Sequence, residues 1–304
     1  MTRRGWVLFA TMGVLWGLPY LLIRVSVREL SPPTLVFART ALGALLLAPF
    51  AVRRGALRPL LARWRPLLAF TVLEVAGPWL LLSDAEQRLR SGLAGLLVAA
   101  VPLVAAIASG ITGDDRLSAG RVVGLAVGVL GVAVLLGLDV RGGDLGAAGE
   151  IGLVVLGYGT APLIVSRHLS AVPSLQVIAA SLGLTALGYA PLAATHLPAR
   201  VPSGQVVLSV ILLAVLCTAA AFVLFFALIA EAGPNRALVI TFVNPAVAVL
   251  LGLVLLGEPL TGGTAVGFPL VLLGCWLATR SASPPARPAQ VDVTSGPVRA
   301  AGAA

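Results

Sequence analysis

Long apolar stretches separated by short polar segments follow one another along almost the whole chain. Ten of them approach the length of about 20 residues that an α-helix needs to cross a membrane. They cover residues 5–23, 34–52, 66–83, 91–111, 121–138, 147–166, 174–195, 206–229, 236–256 and 262–279. We therefore predict an all-α integral membrane protein with ten transmembrane helices. Residues 281–304 contain no apolar stretch and are rich in Pro and Ala, which is typical of a disordered tail.

The segment from Gly92 to Gly137 is repeated from Asn235 to Arg280, at an offset of 143 positions. The matched positions include Pro102 with Pro245, Gly131 with Gly274, and Asp115 with Glu258. This alignment pairs the fourth stretch with the ninth and the fifth with the tenth, so each half holds five predicted helices. Because five is odd, the second half should enter the membrane with the opposite polarity. We expect two inverted five-helix repeats, residues 1–138 and 139–280, as in many secondary transporters.

The composition supports a membrane location. Hydrophobic residues make up 59% of the chain and charged residues 11%, and the mean hydropathy is +1.02. A soluble domain carries about 25% charged residues, so this chain has too few to cover a surface that faces water. The formal net charge of +9 does not point to nucleic acid, because arginines in short cytoplasmic loops orient membrane helices.

The arginines also predict an orientation. If the N-terminus is inside, the inner segments hold 14 arginines and the outer segments hold 6, with Arg39 inside a predicted helix. Positive charge is enriched on the cytoplasmic side of membrane proteins. We therefore expect both termini, and the tail over residues 281–304, to be cytoplasmic, in a multi-pass protein of the cell (inner) membrane.

Several short motifs follow one another in a fixed order along the two halves. They are Trp16-Gly17, Ser31-Pro32-Pro33, Phe37-Ala38-Arg39, Glu86-Gln87, Ser91-Gly92-Leu93-Ala94, Val101-Pro102-Leu103, Asn244-Pro245 and Gly257-Glu258-Pro259-Leu260-Thr261. In this order and spacing the chain resembles the drug/metabolite transporter superfamily, of the EamA-like ten-helix type, over about residues 5–280. The first acidic turn departs from the family pattern, because Asp115 stands where the family usually has Glu.

The resemblance implies a secondary transporter that moves a small metabolite or drug by alternating access. The resemblance to the family favours export over import, and proton coupling is a candidate mechanism. The alternative is a lipid flippase or scramblase of the same fold, in contact with membrane lipid. An enzyme is not expected, because zinc-protease and Walker patterns are absent. We predict no cofactor, no metal and no nucleic-acid partner, and a monomer or homodimer.

Glu74 and Arg39 are ionisable residues that lie well inside predicted helices. Glu74 is about eight residues into the third helix, where a charge costs several kcal/mol unless it is paired, hydrated or protonated. It could bind a proton or the substrate, or it could be a structural partner of Arg39. Arg39, in the second helix, could pair with Glu74 directly or through water. It could also bind an anionic substrate group or extend to the lipid headgroups.

Other polar side chains in the helices are candidates for a substrate site. Trp16 and Tyr158 lie near the middle of their helices and could line a cavity and stack on a substrate. Trp79 is a candidate of the same kind, although Trp79 and Tyr20 lie nearer the outer interface, where an aromatic belt is the more ordinary interpretation. Asn244 could bind substrate, or satisfy a carbonyl freed by the proline that follows it.

Three acidic residues occupy predicted turns. Asp115 and Glu258 hold matching positions on opposite membrane faces, and we expect each to cap the start of the following helix, with a role in gating as the alternative. Glu86, with its neighbour Gln87, ends the third helix. Gating is conceivable there, but a solvated loop is the favoured interpretation.

Overall fold

The computed structural model describes residues 2–53, 57–112, 118–139, 144–233, 237 and 239–279. The helices are α1 (Arg3–Ser26), α2 (Pro32–Arg53), α3 (Trp64–Ala85), α4 (Ser91–Ile111), α5 (Ala119–Asp139), α6 (Leu145–Leu169), α7 (Ser174–Thr195), α8 (Gly204–Ala232), α9 (Ile240–Leu256) and α10 (Gly262–Thr279). A short helix, Leu57–Ala62, precedes α3. No strand occurs in these ranges. The predicted tail over residues 281–304 and the turn that contains Asp115 lie outside them.

Nine of the described helices are long and apolar enough to cross a membrane. α9 is a shorter apolar helix of 17 residues, so ten transmembrane helices remain a prediction. The predicted stretches 174–195 and 262–279 have the same bounds as α7 and α10. Most other helices extend a few residues beyond their apolar stretches, because polar residues such as Arg3 and Asp139 continue the helix past the apolar run.

The helices form one bundle in which the two halves of the chain interleave. The most extensive contacts join α5 with α10 and α2 with α7, followed by α1 with α9. α1 also packs on α8, while α6 packs on α3 and α4. Every one of these contacts crosses from residues 1–138 to residues 139–280. Neither half therefore buries its helices alone.

Glycines allow close approach of the helix backbones where α5 meets α10. A methyl group added to Gly274 would lie 2.2 Å from the backbone nitrogen of Gly128, and one added to Gly131 would lie 2.6 Å from that of Val271. Small residues at such contacts are a common feature of membrane helices, which gain their stability from close packing rather than from exclusion of water.

The outside of the bundle is apolar. Leu45, Ile111 and Leu187 have side chains that are 71%, 79% and 74% exposed. Such a surface suits contact with lipid, which agrees with a membrane location. We refer to the face at which α1 ends and α2 begins as the predicted outer face, and to the opposite end of the bundle as the predicted inner face.

Candidate functional site

A turn of π-helix interrupts both α3 and α8. It covers Thr71–Ala76 in α3 and Val215–Ala220 in α8. The offset of the sequence repeat carries residues 71–76 onto 214–219, one residue from the second turn. π-Turns are rare, and they are frequent at functional sites because they change the direction of nearby side chains. The polar residues around these two turns therefore form the candidate site.

Arg39 of α2 lies at the centre of this group, with only 7% of its surface exposed. Its Nε donates a hydrogen bond of 3.0 Å to Oγ1 of Thr218 in the π-turn of α8. Its Cζ lies 3.6 Å from the centroid of the Trp79 ring on α3. A desolvated cation over an indole ring is stabilised by about 2 kcal/mol. One cation thus connects α2, α3 and α8, and no described carboxylate forms an ion pair with it.

The π-turn of α8 orients the partner of Arg39. The hydroxyl of Thr218 donates to the carbonyl oxygen of Leu213, five residues earlier, over 2.8 Å. Its hydrogen is therefore engaged with the backbone, and its lone pairs are available to the guanidinium. Thr218 is fully buried, and the adjacent Cys217 is 1% exposed and interacts electrostatically with Arg39.

Glu74 lies in the π-turn of α3 and is partly buried. Within the described ranges no ion pair joins Arg39 to Glu74 or to another carboxylate. Tyr158 of α6 interacts electrostatically with both Glu74 and Arg39. Glu74 and Arg39 therefore do not pair directly, which was one of the alternatives that the sequence left open. Extension of Arg39 to the headgroups is wrong, because its side chain is buried over Trp79.

Trp16 and Asn244 lie elsewhere in the bundle. The Trp16 ring packs against α8, with centroid distances of 4.6 Å to Phe225 and 6.1 Å to Phe222. It therefore belongs to an aromatic group between α1 and α8. Asn244 of α9 has a buried Oδ1 that accepts no hydrogen bond from the described residues. That oxygen is available to a donor on a substrate, which keeps Asn244 among the candidates.

The belt interpretation of Trp79 and Tyr20 is wrong. Trp79 is 6% exposed and Tyr20 8%, so both rings lie inside the bundle rather than at the lipid interface. The exposed tryptophans are Trp6, Trp64 and Trp276, at 59%, 56% and 47%. All three lie at the predicted inner ends of their helices, where amphipathic rings favour the interface with the headgroups.

The solvated-loop interpretation of Glu86 is also wrong. Glu86 follows the last residue of α3 directly and its side chain is fully buried. Neither carboxylate oxygen accepts a hydrogen bond from the part of the chain that is described. The guanidinium of Arg24, on α1, donates to the backbone carbonyl of Glu86 instead.

Glu258 caps a helix, but not the one that was predicted. Its carboxylate accepts hydrogen bonds from the backbone N–H of Ser91, the Ser91 hydroxyl and the N–H of Gly92, at 2.8, 2.9 and 2.9 Å. These groups start α4, in the other half of the chain, rather than α10. Gly257 ends α9 with a φ of +66°, which sends the chain back toward α4. Gly252 leaves space for the carboxylate, since a methyl group there would lie 2.4 Å from Glu258 Oε2.

Further polar contacts join the two halves across the predicted outer face. Glu29 accepts 2.7 Å hydrogen bonds from the N–H and hydroxyl of Ser203, and these bonds hold the pKa of Glu29 below its ordinary value. Arg88 pairs with Glu150 at 2.6 Å, and that bond raises the pKa of Arg88. Together with those of Glu258, these contacts connect the two halves of the chain at this face.

Sequence reasoning missed Thr218, because a threonine in an apolar stretch gives no signal of its own. The repeat could have drawn attention to it, since the offset places Glu74 on Cys217, next to Thr218. Among the described residues, no group of three or more His, Cys, Asp or Glu side chains could hold a metal ion.

Comparison with known proteins gives a consistent result. The model of the EamA-like transporter family matches residues 3–137 and again residues 151–280. An uncharacterized transporter of Archaeoglobus fulgidus is 27% identical over 287 residues, which cover 91% of this chain and 99% of that protein. The uncharacterized inner membrane transporter YedA of Escherichia coli K12 is 29% identical over 262 residues, 82% of this chain and 81% of its own.

Two further matches extend over most of the chain. The uncharacterized transporter YvbV of Bacillus subtilis is 25% identical over 286 residues, 90% of this chain and 92% of that protein. One crystal structure superposes with a TM-score of 0.65 at 22% identity and covers 92% of this chain and 98% of its own. At that identity, the superposition is evidence for the fold alone.

Proposed function

The chain belongs to the EamA-like transporter family, and from this premise we propose that it moves a small metabolite or drug across the membrane by alternating access. It is a multi-pass membrane protein and a transporter. The family and the names of its relatives describe transporters rather than enzymes. Since YedA is named as an inner membrane protein, we propose that this chain lies in the inner membrane. We also propose that both termini are in the cytoplasm.

The observation that carries the proposal is the buried cation at Arg39. An arginine inside a membrane bundle is costly and tends to mark a pathway for a substrate or an ion. Here its contacts are a hydroxyl, an indole ring and a phenol, and no described carboxylate forms an ion pair with it, although Glu86 interacts with it electrostatically. A site of this kind can orient a solute that carries an anionic or aromatic group.

Several features support two inverted halves that move against each other. The family model matches twice along the chain, and the π-turns of α3 and α8 fall one residue from matching positions. Helix contacts also come in matched pairs: α1 packs on α8 and α9, and α6 packs on α3 and α4. Under the offset, α1 corresponds to α6, and α8 and α9 correspond to α3 and α4. Inverted halves favour alternating access around a central site.

The contacts on the predicted outer face support a conformation that is closed on that side. Glu258, Glu29 and Arg88 each bond the opposite half. Opening toward the outside would break these contacts, and their polar groups would then be hydrated. A solute at Arg39 would reach the outer solution only after that step, and we propose export as the physiological direction.

Glu74 is our candidate for proton coupling in this cycle. It is partly buried in the π-turn of α3 and interacts electrostatically with Tyr158, which also interacts with Arg39. A proton taken up by Glu74 would change the potential at the site where the solute binds. The lipid flippase or scramblase of the same fold is the alternative, but the burial of Arg39 and Trp79 inside the bundle favours a solute site over a groove open to lipid.

The test is solute flux in proteoliposomes that hold a pH dye inside. Amino acids, nucleosides, organic cations and aromatic amines are added one at a time, as radiolabelled tracers, to wild type, Glu74→Gln and Asp84→Asn. Asp84 is a matched carboxylate on the same helix that pairs with Arg88 at the surface. We expect a solute-triggered pH change that Glu74→Gln abolishes and Asp84→Asn retains.

Other outcomes are equally decisive. Tracer flux without a pH change would make the protein a facilitator and remove proton transfer from Glu74. No flux of any solute, together with transbilayer movement of a fluorescent lipid, would overturn solute transport in favour of the lipid alternative.

A further inference from the structure

A second buried carboxylate, Glu86, lies between the Arg39 site and the predicted outer face. Its side chain has 0% exposure, and neither oxygen accepts a hydrogen bond from any described residue. A buried ionised carboxylate without donors is costly by several kcal/mol. Residues that end a helix normally face solvent and need no such burial. The position therefore calls for an explanation other than packing.

Titratable groups on α1, on α2 and in the turn before α10 interact with Glu86. Arg24 and Tyr20 lie on α1, Arg39 lies on α2, and Glu258 lies in the turn before α10, and all of them interact with Glu86 electrostatically. Arg24 directs a hydrogen bond to the Glu86 backbone carbonyl rather than to its carboxylate. Burial raises the pKa of the Glu86 carboxyl well above its ordinary value, although Arg24 opposes this effect.

We propose that Glu86 takes up a proton from the outer solution as the predicted outer face closes, keeps it while that face is closed, and returns it when that face opens. The neutral carboxyl tolerates burial without donors, whereas the ionised form requires water or a new partner. A proton bound preferentially to the closed state stabilises that state. Acid should therefore hold the outer face closed, and alkali should favour its opening.

This proposal rests on alternating access, which is part of the proposed function, and adds a specific coupling residue to it. It differs from the assignment of Glu74, which is partly exposed and lies within α3 near the solute site. Glu86 interacts electrostatically with Glu258, which accepts the hydrogen bonds from Ser91 and Gly92. It is therefore placed to link protonation to the outer closure rather than to the solute.

The test measures the opening of the predicted outer face and does not need a known solute. A reporter cysteine replaces Ser83, which is 2% exposed and one turn below Glu86, in a chain that carries Cys217→Ala and Cys275→Ala. Proteoliposomes are labelled with a membrane-impermeant maleimide between pH 6 and pH 9. The labelling rate of this cysteine is divided by the labelling rate of Val201→Cys, a position that is 93% exposed. The effect of pH on the ionisation of the thiol then cancels.

We expect this ratio to rise with pH in the otherwise wild-type chain, at most tenfold per pH unit, which is the limit for release of one proton. Glu86→Gln, which is always neutral, should give a low ratio that is independent of pH. Glu86→Asp keeps a titratable group and should retain a pH dependence, which also shows that the position tolerates substitution. Asp84→Asn, two residues away at the surface, should match the reporter chain.

A pH dependence that persists in Glu86→Gln, or a ratio that does not vary with pH in the reporter chain, would overturn the proposal. These outcomes are separate from a failure of the proposed function. Solute flux is measured in other vesicles, and its absence would leave the labelling result intact.

Discussion

On the predicted outer face, Glu258 accepts three hydrogen bonds and Asp139 accepts two. Inside the bundle, by contrast, Glu86 accepts none from the described residues, and Arg39 has a hydroxyl and an indole ring in place of a counter-ion. Charges that accept several hydrogen bonds hold helices in place. Charges that remain buried without an ion pair cost stability, and such residues in membrane proteins are retained for function.

The comparison also explains why the two groups of residues should respond differently to mutation. Removal of a hydrogen-bonded charge on the predicted outer face should destabilise the conformation that is closed on that side. Removal of an interior charge should affect transport more than stability, because the contacts that are lost are offset by the cost of burying the charge. Three substitutions and a change of pH test this difference between the two groups.

Arg39→Leu should have the largest effect on transport. It removes a desolvated cation–π contact of about 2 kcal/mol and a charge-assisted hydrogen bond of about 1.5 kcal/mol. If these interactions orient the guanidinium for the solute, flux should fall roughly 100-fold or more. Tracer flux of a transported solute measures this, with Arg28→Leu, an exposed arginine, as the matched control. Undiminished flux in Arg39→Leu would exclude a role for Arg39 in solute binding.

Gly157→Ala should disturb the packing that holds the interior site. A methyl group there would lie 2.3 Å from the carbonyl oxygen of Leu73, in the π-turn of α3. Overpacking of this kind costs about 1–3 kcal/mol. Thermal unfolding in detergent should show the loss, and Gly152→Ala on the same helix, with open space around it, should not. Equal melting temperatures would mean that α6 can move away from α3 freely.

Glu258→Ala should weaken the closure of the predicted outer face. It removes the acceptor of three hydrogen bonds at the start of α4, and loss of a helix cap costs about 1–2 kcal/mol. We expect a lower melting temperature and faster labelling of the Ser83→Cys reporter. Glu150→Gln, which weakens a more exposed contact with Arg88, serves as the comparison. If Glu258→Ala labels no faster than this control, Glu258 does not hold the face closed.

Acidification should remove the contribution of Glu29, the smallest of these effects. Its pKa is lowered in the folded protein, so the stabilisation is present above the ordinary glutamate pKa of about 4.5 and is lost as the pH falls through the lower, folded value. The melting temperature of wild type should therefore drop more than that of Glu29→Gln below this pH. Parallel melting curves for the two proteins would contradict the prediction.

The sequence was sufficient for the helices and for the family. Hydropathy along the chain predicted α7 and α10 within their observed bounds, because a membrane helix satisfies its own backbone and is specified by a local apolar stretch. The order of short motifs predicted the EamA-like family, which the family model confirms. Arg39, Glu74 and Trp79 were recognised as candidates because polar groups stand out in an apolar helix.

The tertiary structure alone decided which of these groups meet. Lipid is as apolar as the interior of the bundle, so hydropathy does not distinguish the face of a helix that meets lipid from the face that meets another helix. The sequence therefore favoured the membrane interface for Trp79 and a solvated loop for Glu86, although both side chains are buried. The partners of Arg39 and Glu258, Thr218 and Ser91, lie more than 160 residues away from them in the chain. Contacts at that separation arise from the packing of one half against the other, which no local pattern specifies.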